Sequence, residues 1–175
     1  MNWTKYILYI TLINFSSCGI YDFRGTNIPE DVQTFSVGFF NNEADLVNPS
    51  LSIDFTEKLK TKFQTETQLG LKSEEGDYQI NGQIKRYSVT PAALNAQTGA
   101  AQTQFTITVH VDFICPKYSE KDFSKDFTSS QTFDAGVEFN SVESTLSNEL
   151  TDIIVQQIFA QIALDWWTKK IFNIS

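Results

Sequence analysis

The chain has 175 residues, 41% hydrophobic and 14% aromatic, with 15 Phe set against one His and one Met. That is one domain's length, with enough apolar material for a sizeable core. A formal net charge of −8 argues against a nucleic-acid surface, which needs concentrated positive charge, and against adsorption to anionic lipid through the domain itself.

Lys5 is the only charge before Asp22 and is followed by the apolar run Tyr6 to Phe15, then Ser16-Ser17-Cys18-Gly19. A positive start, about ten apolar residues and a small-residue exit describe a secretory signal. A spanning helix needs about 20 apolar residues, so this run is too short to cross a bilayer. The small residues end on a cysteine, as in bacterial lipoprotein signals, although Phe15 stands where such signals usually have Leu. The alternative is ordinary secretion with Cys18 paired to Cys115, but the A-x-A-like cleavage pattern that would accompany it is absent. The expected organisation is a signal peptide over 1–17, a lipid anchor at Cys18, a lipidated lead over 18–31 and a single α/β domain over 32–170. Removing 1–17 removes one Lys and no acid, so the mature charge is −9.

Val32, Thr34, Phe35, Val37 and Phe39 predict a first strand, followed by a polar loop from Asn41-Asn42 through Asp45 to Asn48. Asn48-Pro49 reads as a helix start. Leu51, Phe55, Leu59 and Phe63 recur every four residues and predict a helix over about 50–67 with one apolar ridge. Lys58, Lys60 and Lys62 fall away from that ridge as a solvated face.

Leu69 and Leu71 open a short strand that turns at Glu74-Glu75-Gly76-Asp77. Tyr78, Ile80, Ile84 and Arg86 then alternate with polar residues as a strand fading near Pro91. Pro91 to Gln104, through Asn95 and Gly99, has no apolar periodicity and reads as a flexible hairpin loop. Phe105, Ile107, Val109, Val111, Phe113 and Cys115 make the clearest strand, apolar on one face and polar on the other. A charged turn at Ser119 to Asp122 precedes a strand carrying Phe123, Phe127 and Phe133.

The last helix is predicted to open on an Asn140/Glu143 capping box, with Ser141 as the alternative cap. It carries a row at Val142, Leu146, Leu150, Ile154, Ile158, Ile162 and Trp166. Ile153, Phe159, Ala160 and Ala163 widen the apolar arc of its second half. The order implies a two-layer α/β sandwich with a mixed, mostly antiparallel sheet of four or five strands and two helices on one face. The strand-helix-strand start places one parallel pair in that sheet.

Chemistry is sparse. The only imidazole, His110, shares a polar strand face with Asp112 and Thr108, which suits a surface side chain better than a metal ligand. No CxxC, phosphate-binding glycine loop or nucleophile elbow occurs, and Cys115 completes an apolar strand face as an inert thiol. Trp166-Trp167 reads as the closure of a buried helix rather than a sugar platform. No catalytic residue, metal or cofactor is expected. The residues themselves point to an anchored binding or assembly module.

Several stretches in order resemble the lipopolysaccharide-assembly lipoprotein family LptE, in its Bacteroidetes-like form. They are Cys18-Gly19-Ile20-Tyr21-Asp22-Phe23 with Gly25, Ile28-Pro29, Phe39-Phe40-Asn41-Asn42, and Leu46-Val47-Asn48-Pro49-Ser50-Leu51. Phe55-Thr56-Glu57 with Leu59 and Phe63, Gly76-Asp77-Tyr78 with Gly82, Thr106-Ile107-Thr108-Val109 and Ser141-Val142-Glu143 complete the set. The resemblance implies an outer-membrane lipoprotein facing the periplasm, a plug and assembly partner of an LptD-like β-barrel, with palmitate-type acylation at Cys18. Asn41, Asn42, Asp45, Asn48, Pro91, Asn95 and Gly99 are the expected partner-contact positions, on two loops too long and polar to be simple connectors. The resemblance also implies lipopolysaccharide contact through basic residues, as in some family members. Lys85 and Arg86, the adjacent basic pair on a strand, are the candidates here, against a net charge that disfavours lipid A binding. An auxiliary lipoprotein of another envelope lipid-transport or secretion system is the alternative reading.

Overall fold

The computed structural model describes residues 26–46, 48–94 and 99–164. The signal segment, Cys18, Asn95 and Trp166-Trp167 lie outside the described residues. Six strands form one sheet: β1 (Thr34–Val37), β2 (Asn41–Asn42), β3 (Gly70–Lys72), β4 (Tyr78–Ala92), β5 (Gln102–Ile114) and β6 (Phe123–Asp134). The order is β3-β1-β4-β5-β6, with β2 also on β4. Helices α1 (Leu51–Glu66) and α2 (Phe139–Phe159) supply the second layer, and α2 runs into a π-helical turn at Ala160–Leu164. This is the mixed α/β sandwich that the periodicities imply.

The parallel part is larger than one pair. β1 pairs parallel with both β3 and β4, and β2 pairs parallel with β4. The first strand is also shorter than its apolar alternation suggests. It ends before Gly38, and beyond it Phe39 is 56% exposed while Phe40 turns inward and is fully buried. The Phe40 N–H donates to Thr56 Oγ1 of α1 at 3.2 Å. Beneath Phe40 the sheet needs glycine, because a Cβ on Gly82 would lie 2.0 Å from the His110 carbonyl oxygen and 2.6 Å from the Phe40 ring.

The α1 ridge is buried at all four positions, Leu51, Phe55, Leu59 and Phe63. Asn48 supports the start of this helix, its Oδ1 accepting from the Ser50 N–H at 3.1 Å. The three lysines stay at the surface in ion pairs, Lys58 with Asp152 of α2 at 2.6 Å, Lys60 with Glu57 and Lys62 with Glu66.

The β5 segment is buried at every alternate position from Phe105 to Cys115. β4 departs from strict alternation, because the ladder to β5 shifts register between Ile84 and Arg86. A bulge admits one extra residue and reverses the phase beyond it. Tyr78, Ile80 and Ile84 are therefore joined inside by Tyr87, 1% exposed, and not by Arg86, which faces out.

α2 begins without the side-chain cap anticipated from Asn140 and Glu143; its first turn has no side-chain cap hydrogen bond. Glu143 is instead tied to the sheet, accepting from Tyr87 Oη at 2.6 Å and Asn48 Nδ2 at 3.2 Å. Leu146, Leu150, Ile154, Ile158 and Ile162 are buried as one row. Thr151, Val155, Phe159 and Ala163, each one position after a row member, are buried beside it. Successive residues lie about 100° apart round a helix, so the buried arc widens to that side alone. Ile153 precedes Ile154 and falls on the other side, 44% exposed, where the apolar arc had been expected to include it. Ala160 is half-buried. The abundant phenylalanines interlock the layers, with ring pairs Phe35–Phe63 at 5.5 Å, Phe63–Phe159 at 5.2 Å and Phe105–Phe139 at 5.0 Å. Such pairs add about 0.5–1.5 kcal/mol each beyond area burial.

Candidate functional site

The helices cover one face of the sheet and leave the other open. Along that open face β4 carries Gln83, Lys85, Arg86, Ser88 and Thr90, opposite His110, Thr108, Thr106 and Gln104 of β5. Asp126, Thr128, Ser130 and Thr132 of β6 continue the rows. Its centre is uncharged and internally bonded. Thr108 Oγ1 and Thr128 Oγ1 share a hydrogen at 3.0 Å, and Gln104 Nε2 donates to Ser130 Oγ at 2.9 Å.

Charge gathers at one place on this face. Lys85 Nζ lies 3.3 Å from Asp126 Oδ1, so Lys85 is already neutralised. Arg86, displaced by the bulge, is exposed with no ion pair among the described residues. The two candidate lipopolysaccharide residues thus differ in what they offer an anion. His110 Nδ1 lies 2.5 Å from Asp126 Oδ1, while Nε2 is 3.1 Å from Ser124 Oγ and 3.4 Å from Asp112 Oδ1. First the His110 hydrogen bond and then Lys85 hold the Asp126 carboxyl below its usual range. An ionised Asp126 can only accept, which places the proton on Nδ1.

Serine, imidazole and carboxylate in this order resemble a nucleophilic triad in distance. The setting differs, because such a triad works beside a pocket with donors aimed at a developing oxyanion. Two clefts border the helices. One, of about 670 Å³, runs between the helices past Lys58, Lys62 and Asp152. The other, of about 500 Å³, runs between β6 and the end of α2 past Phe127, Gln157 and Leu164. The second also borders Asp126, but neither is lined by Ser124 or His110. The cluster reads as a surface charge network spanning β4, β5 and β6. No three His, Cys, Asp or Glu side chains among the described residues are placed to hold a metal. Burial pushes the Cys115 thiol up, in keeping with an inert side chain.

Asn41 and Asn42 are not loop but β2, paired with Gln83 and Ile84. Asn41 and Asp45 are exposed. Asn42 Oδ1 accepts from the Ala44 N–H at 3.0 Å. Asn48 is an internal tie, since its Nδ2 donates to Tyr87 Oη and Glu143 Oε1, both at 3.2 Å. Sequence reasoning missed this Asn48–Tyr87–Glu143 node, because its members are remote in the chain and Glu143 looked like a cap. The hairpin strands extend further than expected: Pro91 pairs with Thr103 and Ala92 with Gln102, which shortens the connection to residues 93–101. Gly99 is exposed there at φ 69°, with open space around it. The Ala135 N–H donates to the Ala101 carbonyl at 3.1 Å, bringing the β6–α2 turn beside the hairpin.

None of the helices among the described residues is long and apolar enough to cross a membrane. No curated protein matches the chain. Among solved structures, a minor lipoprotein from Acinetobacter baumannii is similar with a TM-score of 0.50 and 17% identity, covering 75% of this chain and 93% of that one. The uncharacterized lipoprotein B from Nitrosomonas europaea gives a TM-score of 0.51 at 12% identity, covering 75% of this chain and 83% of its own. These likenesses establish the shared fold. The family model for lipopolysaccharide assembly, LptE, matches residues 32–162, from the first buried residue of the sheet layer to the last turn of the helical one, and the chain belongs to the LptE family.

Proposed function

We propose that this lipopolysaccharide-assembly lipoprotein acts in the outer membrane as the plug and assembly partner of an LptD-like β-barrel, held by acylated Cys18 and facing the periplasm. The observation that carries the proposal beyond family membership is the open sheet face. One face of the sheet is spent on the protein's own core, and the other is rich in Ser, Thr and Gln, with a charge cluster around His110 and Asp126. The interior of a membrane barrel is polar. Uncharged hydroxyls and amides can exchange hydrogen bonds with such a wall at far less desolvation cost than unpaired charges. The protein works by holding its partner, with no turnover.

In this reading Asn41, Asn42 and Asp45 beside β2, and Pro91, Asn95 and Gly99 on the hairpin, touch the partner, while Asn48 holds the first loop in place. Arg86 is the better candidate for lipopolysaccharide, since Lys85 already has a counter-ion. Shortening the hairpin between Ala93 and Ala101 should leave thermal stability nearly unchanged and reduce barrel recovery in a pull-down from outer membranes. Depleting the protein should lower both correctly assembled barrel and surface lipopolysaccharide. Normal levels of both after depletion would overturn the proposal in favour of an auxiliary role in another envelope transport or secretion system.

A further inference from the structure

β6 is an edge of the sheet, pairing with β5 alone among the described strands. In an antiparallel pair every second residue turns its backbone N–H and C=O away from the partner. β6 is 12 residues long and contains no proline, so it lacks the shortness and the proline that often blunt an open edge.

α2 lies alongside this edge. The cleft of about 500 Å³ between them has Phe127 on the strand side and Gln157, Ala160, Gln161 and Leu164 on the helix side. Leu164 is 41% exposed. Ile153 stands one turn before Gln157 on the same side of α2 and is 44% exposed. The apolar side chain that the buried arc of α2 leaves out thus extends the wall of this groove. An extended segment fits both features: its backbone pairs with the open edge while alternate side chains lie against the helix. One turn of α2 from Ile153 to Gln157 rises about 6 Å, close to the roughly 7 Å between same-side residues of a strand.

Charge selects the occupant. Lys125 lies opposite buried Val111, on the helix side of β6. Its Nζ donates to Gln161 Oε1 at 3.2 Å and sits 5.2 Å from the Phe127 ring centre. Asp126 is held by Lys85 and His110, so Lys125 has no carboxylate partner among the described residues. A second copy of β6 would not supply one. On that side it carries Phe123, Lys125, Phe127, Ser129, Gln131 and Phe133, and none is acidic. A different protein is therefore the better complement.

We propose that the groove between β6 and α2 receives an extended segment of the barrel partner, which adds a strand to β6. Its alternate apolar side chains meet Ile153 and Leu164, and an acidic one meets Lys125. A closed barrel wall has its backbone groups paired already, so this segment lies outside the wall, in a loop or an extension. Asp126, Thr128, Ser130 and Thr132 place β6 at the border of the open face, so a barrel that meets that face reaches this edge. The inference rests on the plug reading and deepens it, naming where the partner's backbone is engaged.

Amide hydrogen exchange is compared between the free protein and its purified complex with the barrel. The outward-facing amides of Phe123–Asp134 should exchange at least about tenfold more slowly in the complex. Benzoylphenylalanine placed at exposed Gln131 or Gln157 should crosslink in cells to one stretch of the barrel protein, outside its wall and no longer than the 12 residues of β6. Ile153→Glu and Lys125→Glu should each cut barrel recovery about tenfold with nearly unchanged melting temperatures, since both side chains are exposed. Unchanged exchange over β6, full recovery by both variants, or crosslinks to wall strands or to a second copy would overturn the proposal and leave the plug reading standing. Failure of the parent protein to recover a barrel would refute the plug reading, and this occupant with it.

Discussion

Tyr87→Phe removes one hydroxyl and keeps a ring that packs 4.8 Å from Phe105 and 6.5 Å from Phe139. The hydroxyl donates to Glu143 at 2.6 Å and accepts from Asn48 at 3.2 Å. It thereby joins β4, the start of α2 and the loop that leads into α1. A hydrogen bond to a charged group contributes about 1.5–3 kcal/mol. A loss of about 2 kcal/mol should lower the melting temperature by roughly 4–8 °C for a chain of this size. Burial, and then the Glu143 hydrogen bond, push the Tyr87 hydroxyl from its ordinary value near 10 up to about 12. Below pH 10 the group is neutral in folded and unfolded chains, and its contribution is fully present. Between pH 10 and about 12 the unfolded chain loses this proton while the folded one keeps it, so stability falls by up to about 3 kcal/mol. Urea unfolding at pH 8, with thermal melts from pH 8 to 12, tests both parts. The variant should be less stable at pH 8 and decline less steeply in alkali, so that the two curves converge. Equal midpoints at pH 8 with parallel alkaline profiles would refute the node.

Val109 is fully buried between Ile84 and Phe127, and Val109→Asp should cost upwards of about 4 kcal/mol, whereas His110→Ala on the open face should cost under about 1 kcal/mol; equal denaturation midpoints for the pair would contradict the strand register. Gly82→Ala places a Cβ against the His110 carbonyl and the Phe40 ring, and overpacking of roughly 2–3 kcal/mol is expected in chemical denaturation. The Lys117 ammonium, and then the Gln33 N–H, hold the Asp77 carboxyl well below the usual carboxylate range. That stabilisation is present above the unfolded pKa near 4 and is lost as pH falls through the lowered folded value. Asp77→Asn should therefore be less stable at pH 7 and show a flatter acid profile than the parent; an unchanged acid limb in thermal melts would show that Asp77 does not carry this dependence.

Much of the fold was legible because one dominant period governs each long element. The four-residue spacing of Leu51 to Phe63 and the two-residue spacing of Phe105 to Cys115 each specify a buried face without reference to the rest of the chain. The family resemblance likewise followed from the order of short stretches along the sequence, and the match over 32–162 establishes it. Tertiary structure decided what local pattern could not encode. A single register shift between Ile84 and Arg86 exchanges which of Arg86 and Tyr87 enters the core. Nothing in the β4 sequence marks it, because a bulge depends on how the partner strand pairs. Glu143 has the right spacing for a helix cap, yet it is drawn inward by Tyr87 and Asn48, which lie 56 and 95 residues away. The parallel pairing of β1 with both β3 and β4, and the hydrogen bond that brings Asn27 to Ala163, likewise join segments far apart in sequence. Such contacts become favourable only when the whole core closes, because loop-closure entropy must first be offset by burial at many places together.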